Sequence, residues 1–231
     1  MDPGLAPSNI RAAAAAAVDR DRLEAPGPIS TTRRHGPGDP AEPVAEYRHR
    51  VPVDVRPYSP EWPRRFEQVA AGLRAALAKI PSAVVEHVGS TSVPGLAAKP
   101  ILDIDVVVDT EDLSEAMVAL ATLGYTHQGD LGLRDREAFK APDEDPRRNV
   151  YLCLRGTLHV RNHLAVRDVL RARLDLRDEY AAVKLTLAAD PRMDIDTYVA
   201  QKSAVLQRVL AESDITAEER LQIRRLNDPS A

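Results

Sequence analysis

Length, composition and charge limit the classes of protein to which this chain can belong. Its 231 residues suffice for one sizeable domain plus tails, and 31 Lys and Arg against 35 Asp and Glu give a formal net charge of −4. That charge and an aromatic content of only 4% argue against nucleic acid as a partner. The single cysteine, Cys153, excludes an intramolecular disulfide, so we expect a reducing, cytoplasmic location. The absence of an 18-residue apolar stretch predicts no membrane span.

The chain divides into three segments by composition. Residues 1–50 are rich in Pro, Gly, Ala and Arg without an apolar period, which predicts a disordered tail. We place the folded domain at residues 51–212, opening on an edge strand in which Val51, Val53 and Val55 alternate with polar residues or proline. Residues 213–231 are predicted to form a short C-terminal helix or tail.

Apolar spacing predicts the elements of the domain in chain order. A three- and four-residue spacing from Phe66 to Ile80 predicts an amphipathic helix. β-Branched runs at 83–88 and 101–108 predict two strands, residues 110–123 a second helix, and residues 136–141 and 148–154 two further strands. Beyond Gly156 the spacing predicts three helices. This order predicts an α+β (mixed α/β) fold, with a small mixed sheet flanked by helices and a helical C-terminal part.

Two carboxylates in the second predicted strand indicate a metal site. Asp103 and Asp105 project from one face because strand side chains alternate, and two acids there repel each other unless a cation lies between them. A divalent metal such as Mg²⁺ binds such oxygens and bridges them to phosphates. Gly89 and Ser90, at the end of the preceding strand, form a turn whose backbone N–H groups and hydroxyl suit a phosphate. Two exposed acids and a plain turn remain the alternative.

The residues from Glu86 to Asp105 resemble the GrpB (UPF0157) family, whose hallmark is close to this whole string. Segments 57–62, 162–171 and 180–187 are also similar to that family, so the resemblance covers residues 53–210. The Gly-Ser pair followed by Asp-x-Asp resembles the nucleotidyltransferase fold of polymerase-β type. The resemblance implies an enzyme that binds a Mg²⁺–nucleoside triphosphate and transfers a nucleotidyl group to an unknown small-molecule acceptor. The alternative is a non-catalytic nucleotide-binding or accessory module, since relatives occur fused to dephospho-CoA kinase.

The same resemblance implies a catalytic set. Asp103 and Asp105 are the expected metal ligands and catalytic acids, and Glu137 is the best placed candidate for a third carboxylate. Many relatives carry histidines where residues 148–151 stand in this chain, so imidazoles at those positions are not carried over. A third carboxylate near Asp103 favours the enzyme, and its absence favours the module.

Basic residues supply candidate phosphate contacts beside Gly89 and Ser90. We expect Lys99, Arg148, His163 and Arg167 to contribute, with His163 and Arg167 on one helix face because they are four residues apart. Solvated surface charge is the alternative for each of them, and Arg167 with the neighbouring Asp168 is equally compatible with a structural ion pair. The sequence makes no prediction of oligomeric state.

Overall fold

A computed structural model describes residues 54–190, 193 and 195–227. The predicted disordered tail at 1–50 and the first residues of the predicted edge strand lie outside the described residues. Where the description begins, Arg56 forms a single antiparallel bridge with Ala98, with both backbone N–H···O distances at 2.9 Å. This bridge ties the start of the domain to the loop that precedes Asp103.

Six helices and five strands make up the described residues. The helices are α1 (Glu61–Ala76), α2 (Leu113–Thr122), α3 (Leu158–Ala172), α4 (Leu174–Ala188), α5 (Ile195–Ala211) and α6 (Ala217–Asn227). The strands are β1 (Val84–Val88), β2 (Leu102–Val108), β3 (Thr126–His127), β4 (Arg136–Lys140) and β5 (Arg148–Leu154). The predicted mixed α/β fold is therefore confirmed, and the two-residue strand β3 is an addition to the predicted elements.

The strands form one mixed sheet in the order β1-β2-β5-β4-β3. β1 is antiparallel to β2, β2 is parallel to β5, and β4 is antiparallel to both β5 and β3. A parallel pair needs a crossover connection, and α2 lies within the stretch between β2 and β5. The two carboxylate-bearing positions of β2 therefore lie in an interior strand, with a neighbour on each side.

One face of the sheet, called the closed face below, is covered by α1 and α2. Phe66 and Leu73 from α1 and Leu120 from α2 pack on Ile104 and Leu152 of the sheet in one apolar cluster. The five side chains are each at most 5% exposed. Burial of this kind contributes about 1.5–3 kcal/mol per large apolar side chain, so this layer supplies much of the stability of the domain.

The other face, called the open face, carries Asp103 and Asp105 and is covered by α3. Val107 of β2 and Tyr151 and Cys153 of β5 share this face and pack against Val160 of α3. Cys153 is buried, and burial raises the pKa of its thiol. Farther from the sheet, α3, α4 and α5 form a second apolar cluster, and α5 and α6 contribute to another. None of the helices in the described part of the chain has the length and hydrophobicity of a membrane span.

Candidate functional site

The turn after β1 brings the backbone close to the carboxylate of Asp103. Gly89 has φ +67°, and a single 3₁₀ turn over Ser90–Ser92 follows it. A Cβ atom at position 89 would lie 2.1 Å from Oδ2 of Asp103, well inside van der Waals contact. Glycine is required here both for the positive φ and for this close approach. The sequence-predicted Gly89, Ser90 and Asp103 are therefore brought together.

Asp103 and Asp105 lie on the same face of β2, as their spacing predicts. Asn149 stands opposite Asp103 on β5, and its Nδ2 donates to Oδ1 of Asp103 at 2.9 Å. Asp105 is 0% exposed, and its Oδ2 lies 2.8 Å from Nδ1 of His163. Its Oδ1 is buried and has no hydrogen-bond partner among the described residues. Such an oxygen costs about 1–3 kcal/mol unless a ligand satisfies it.

Two histidines of α3 stand over Asp105. His159 and His163 are one helical turn apart, with ring centroids 4.0 Å from each other, and one ligand atom from each lies within 4.8 Å of the Asp105 carboxylate. Burial opposes protonation of His163, but the charge of Asp105 and its hydrogen bond outweigh burial and raise the pKa of His163. Burial holds the pKa of His159 well below its usual range, so this imidazole is neutral.

A cavity of about 500 Å³ opens beside these groups. Its polar end is lined by Gly89, Ser90, Asp103, His159 and His163. The rest is bordered mainly by apolar side chains of α3–α6, namely Val166, Leu170, Leu206, Leu210, Ile223 and Leu226. A largely apolar cavity with a few converging polar groups is the usual form of a small-molecule site.

A smaller adjoining cavity of about 50 Å³ contains three lysines. Lys99, Lys184 and Lys202 line it together with Ser90 and Asp103. Lys184 and Lys202 are only 3% and 5% exposed, and Nζ of Lys184 donates to Oγ of Ser90 at 2.7 Å and to the Ala97 carbonyl at 2.6 Å. Lysine side chains and a serine hydroxyl that line one small cavity suit an anionic group of high charge density, such as a phosphate.

Glu137 is not brought to this site. It pairs with Leu152, whose side chain lies on the closed face. The side chain of Glu137 therefore projects from the closed face and not toward Asp103. There its Oε2 contacts Nε2 of His127 at 2.5 Å. The expected third carboxylate is corrected accordingly, because strand alternation directs position 137 away from Asp103.

Arg148 and Arg167 serve structural contacts, which corrects their expected place in the site. Arg148 is paired with Leu102 on the closed side, and its guanidinium donates to the Asp143 carboxylate and to the Tyr125 hydroxyl. Neither arginine borders the two cavities described above.

Arg167 is engaged in ion pairs near the turn. Its Nη1 donates to Oε2 of Glu86 at 2.6 Å and to the His87 carbonyl at 3.2 Å, and its Nε donates to Asp168 at 2.7 Å. The ion pair with Asp168, left open from the sequence, is present. His87 packs into the core, stacked on Phe66 with ring centroids 4.3 Å apart.

Sequence reasoning missed His159, Lys184 and Lys202. His159 and His163 form a visible His-x-x-x-His pair, which on a helix places both rings on one face. Lys202 interrupts the apolar face of α5 between Val199 and Val205, and a lysine at an inward position indicates a buried charge. Lys184 offers no comparable signal, because its place beside Ser90 depends on how α4 packs.

The fold and the site define a mixed α/β domain with a Gly-Ser turn facing two strand aspartates. Comparison with known proteins assigns the chain to a family: the family described as GrpB protein matches residues 52–212, and this chain belongs to it. A UPF0157 protein of Halalkalibacterium halodurans is 38% identical over 174 residues, which cover 73% of this chain and 86% of that protein.

Solved structures give the same assignment. The conserved protein GrpB from Enterococcus faecalis has a TM-score of 0.59 and 31% identity, covering 69% of this chain and 98% of that one. A cytoplasmic RNA terminal U-transferase is a more remote similarity, with a TM-score of 0.45 and 18% identity over 65% of this chain and 47% of that one. The functional argument therefore depends on the residues of the site itself.

Proposed function

We propose that this protein binds a nucleoside triphosphate with a divalent metal and transfers its nucleotidyl group to a small acceptor. The observation that carries the proposal is the small cavity that Lys99, Lys184 and Lys202 line together with Ser90 and Asp103. Ammonium groups and a hydroxyl donate hydrogen bonds that suit phosphate oxygens. A triphosphate supplies several such oxygens.

The two cavities suit different parts of such a ligand. Ser90, Asp103 and Lys202 border both of them, so a molecule can place phosphates in the small cavity and extend into the large one. The apolar walls of the large cavity exclude water and suit a nucleobase or the body of an acceptor. Binding in a water-excluded site strengthens every charge interaction that orients the phosphates.

Asp103 and Asp105 are suited to hold the metal that accompanies the triphosphate. The fit rests on Asp105, whose buried Oδ1 has no hydrogen-bond partner among the described residues, and on Asp103, whose Oδ2 faces the Gly89 turn. Bound there, a divalent ion such as Mg²⁺ would supply charge neutralisation to the phosphates. The chain's own contribution is to position: Gly89 lets the Asp103 carboxylate lie against the turn, Ser90 donates a hydroxyl, and the lysines fix the orientation of the phosphates.

Calorimetric titration with ATP, GTP, CTP and UTP in the presence of Mg²⁺ tests the proposal. The wild type should bind at least one of them, and its free energy of unfolding should rise by about 2.7 kcal/mol at a hundredfold excess over the dissociation constant. Asp103→Asn should lose Mg²⁺-dependent binding while its apo stability stays equal or rises slightly, because repulsion with Asp105 is relieved. Asp145→Asn, at an exposed acid paired with Arg65, is the matched control and should bind like the wild type. No response of the wild type to any triphosphate would refute the proposal.

A binding module without turnover is the second candidate. Among the described residues, the position opposite Asp103 on β5 is occupied by Asn149, and Glu137 faces the other side of the sheet. The carboxylate that would deprotonate an acceptor is therefore lacking at both of these places. Incubation with α-phosphate-labelled nucleotide separates the two candidates: label transfer to an acceptor fraction supports the enzyme, and binding with no transfer or pyrophosphate release supports the module.

A further inference from the structure

We propose that Asp105, His159 and His163 together bind a divalent transition metal such as Mn²⁺, Co²⁺ or Zn²⁺ in preference to Mg²⁺. This inference rests on the proposed function, because Asp105 belongs to both, and it names the class of metal at that site. Metal binding at these three residues does not require a nucleotide, so it can be measured separately.

The three residues converge from two rigid elements. Asp105 lies in the interior strand β2, and His159 and His163 lie one turn apart on α3, which packs on that strand's open face. One ligand atom from each lies within 4.8 Å of the others. Ligands of a single metal at bond lengths of about 2.0–2.2 Å lie at most about 4.4 Å apart, so these atoms must move somewhat closer together to share one ion.

Unpartnered polar atoms point to an occupant of this space. Oδ1 of Asp105 and Nε2 of His159 are both buried, and neither has a hydrogen-bond partner in the part of the chain that the structure describes. A simple ion pair between Asp105 and His163 accounts for the 2.8 Å contact of Oδ2 but leaves these two atoms unexplained. Coordination to a metal satisfies both of them at once, because each presents a lone pair.

The donor set selects the metal. Two imidazole nitrogens and one carboxylate oxygen suit Mn²⁺, Co²⁺ or Zn²⁺, whereas Mg²⁺ favours oxygen ligands and keeps several waters. Three protein ligands also leave coordination positions open, as in metal sites that keep a position for water or a substrate. His159 and His163 line the large cavity, which provides the path of entry.

Cobalt substitution tests the site directly. The full chain, purified without a histidine tag, is titrated with Co²⁺ in the absence of nucleotide, and binding is followed by visible d–d absorption and by calorimetry. We expect one tight site that excess Mg²⁺ does not displace. His159→Gln and His163→Gln should each weaken binding at least as much as the roughly 10–100-fold that loss of a supporting residue costs. His127→Gln, at an exposed histidine paired with Glu137, is the matched control and should leave binding unchanged.

The outcomes distinguish this inference from the proposed function. Absence of Co²⁺, Mn²⁺ and Zn²⁺ binding, in a protein that still binds Mg²⁺–triphosphate, overturns the inference alone. Binding of Co²⁺ that depends on both histidines, in a protein that binds no triphosphate, supports the inference and refutes the proposed function. Equal Co²⁺ affinity in the wild type and both histidine variants, each shown to be folded by its thermal melt, also overturns the inference, because the ion then binds elsewhere.

Discussion

The two faces of the sheet differ in whether their buried polar atoms have hydrogen-bond partners. On the closed face, even the one buried histidine is satisfied: His87 stacks on Phe66, and its Nε2 lies 3.1 Å from Oγ1 of Thr91. Seven buried side-chain polar atoms lack a hydrogen-bond partner among the described residues, and all of them lie on the open face or in the helices beyond it. They belong to Asp105, Arg136, His159, Asn162, Ser203 and Gln207. The closed face contributes mainly stability. The open face contains buried polar atoms without hydrogen-bond partners, each of which costs about 1–3 kcal/mol. The proposed ligand on the open face would offset that cost.

The largest expected effect on stability comes from a substitution in the closed face. Phe66→Ala should lower the free energy of unfolding by about 3–5 kcal/mol, because it leaves a cavity in a well-packed layer. Leu206→Ala, at a side chain that already borders the large cavity, should cost less. Urea unfolding of both variants provides the measurement. Equal losses would remove the distinction between a closed layer and an open one.

Stability should depend on pH with opposite signs at His87 on the closed face and at His163 on the open face. Burial, then the charges of Arg171 and Arg167, lower the pKa of His87 to about 4. The unfolded chain protonates near 6.5, so stability should fall between pH 6.5 and 4, by on the order of 3 kcal/mol. His163, with a raised pKa, adds stability that is fully present below pH 6.5 and is lost as pH rises through that pKa.

Unfolding free energies across a pH series test these two slopes. His87→Gln should reduce the loss on the acid side, to which the buried neutral His159 also contributes, and leave the alkaline slope. His163→Gln should do the reverse, because Asp105 then faces a neutral amide at every pH. If both variants keep both slopes, the two histidines are not the titrating groups.

Lys202→Met tests whether the open face holds an anion. Methionine keeps the apolar stem that packs near Tyr198 but removes the ammonium group. Triphosphate affinity, measured by calorimetric titration, should fall by about 1.5–3 kcal/mol, roughly 10- to 100-fold. Lys79→Met, at an exposed lysine beyond α1, is the control. A drop in apo stability with unchanged affinity would assign Lys202 a structural role.

The smallest expected effect concerns Glu137. Glu137→Gln should change stability by less than about 1 kcal/mol, because its contact with His127 is partly exposed. Triphosphate and Co²⁺ binding should be unaffected, since the side chain leaves from the closed side of the sheet. Loss of triphosphate or Co²⁺ binding in a calorimetric titration would show that Glu137 contributes to the site, and it would weaken the contrast between the faces.

Local patterns in the sequence predicted the framework of the site. Strand alternation placed Asp103 and Asp105 on one face, and the Gly89-Ser90 pair marked the turn beside them. The same alternation could not tell which face Glu137 joins, because that depends on the register between β4 and β5. Arg148 was misplaced for the same reason: its position next to the open-face Asn149 turns it to the opposite side.

The sequence by itself therefore determined the element order, the two aspartates on one strand face and the glycine turn, since these follow from periods of two and 3.6 residues and from the conformational freedom of glycine. The tertiary structure alone decided the partners of that turn. Lys184 reaches Ser90 from 94 positions away, and His163 reaches Asp105 from 58 positions away. Such contacts are set by how helices pack across the sheet, and no local period in the chain encodes that packing.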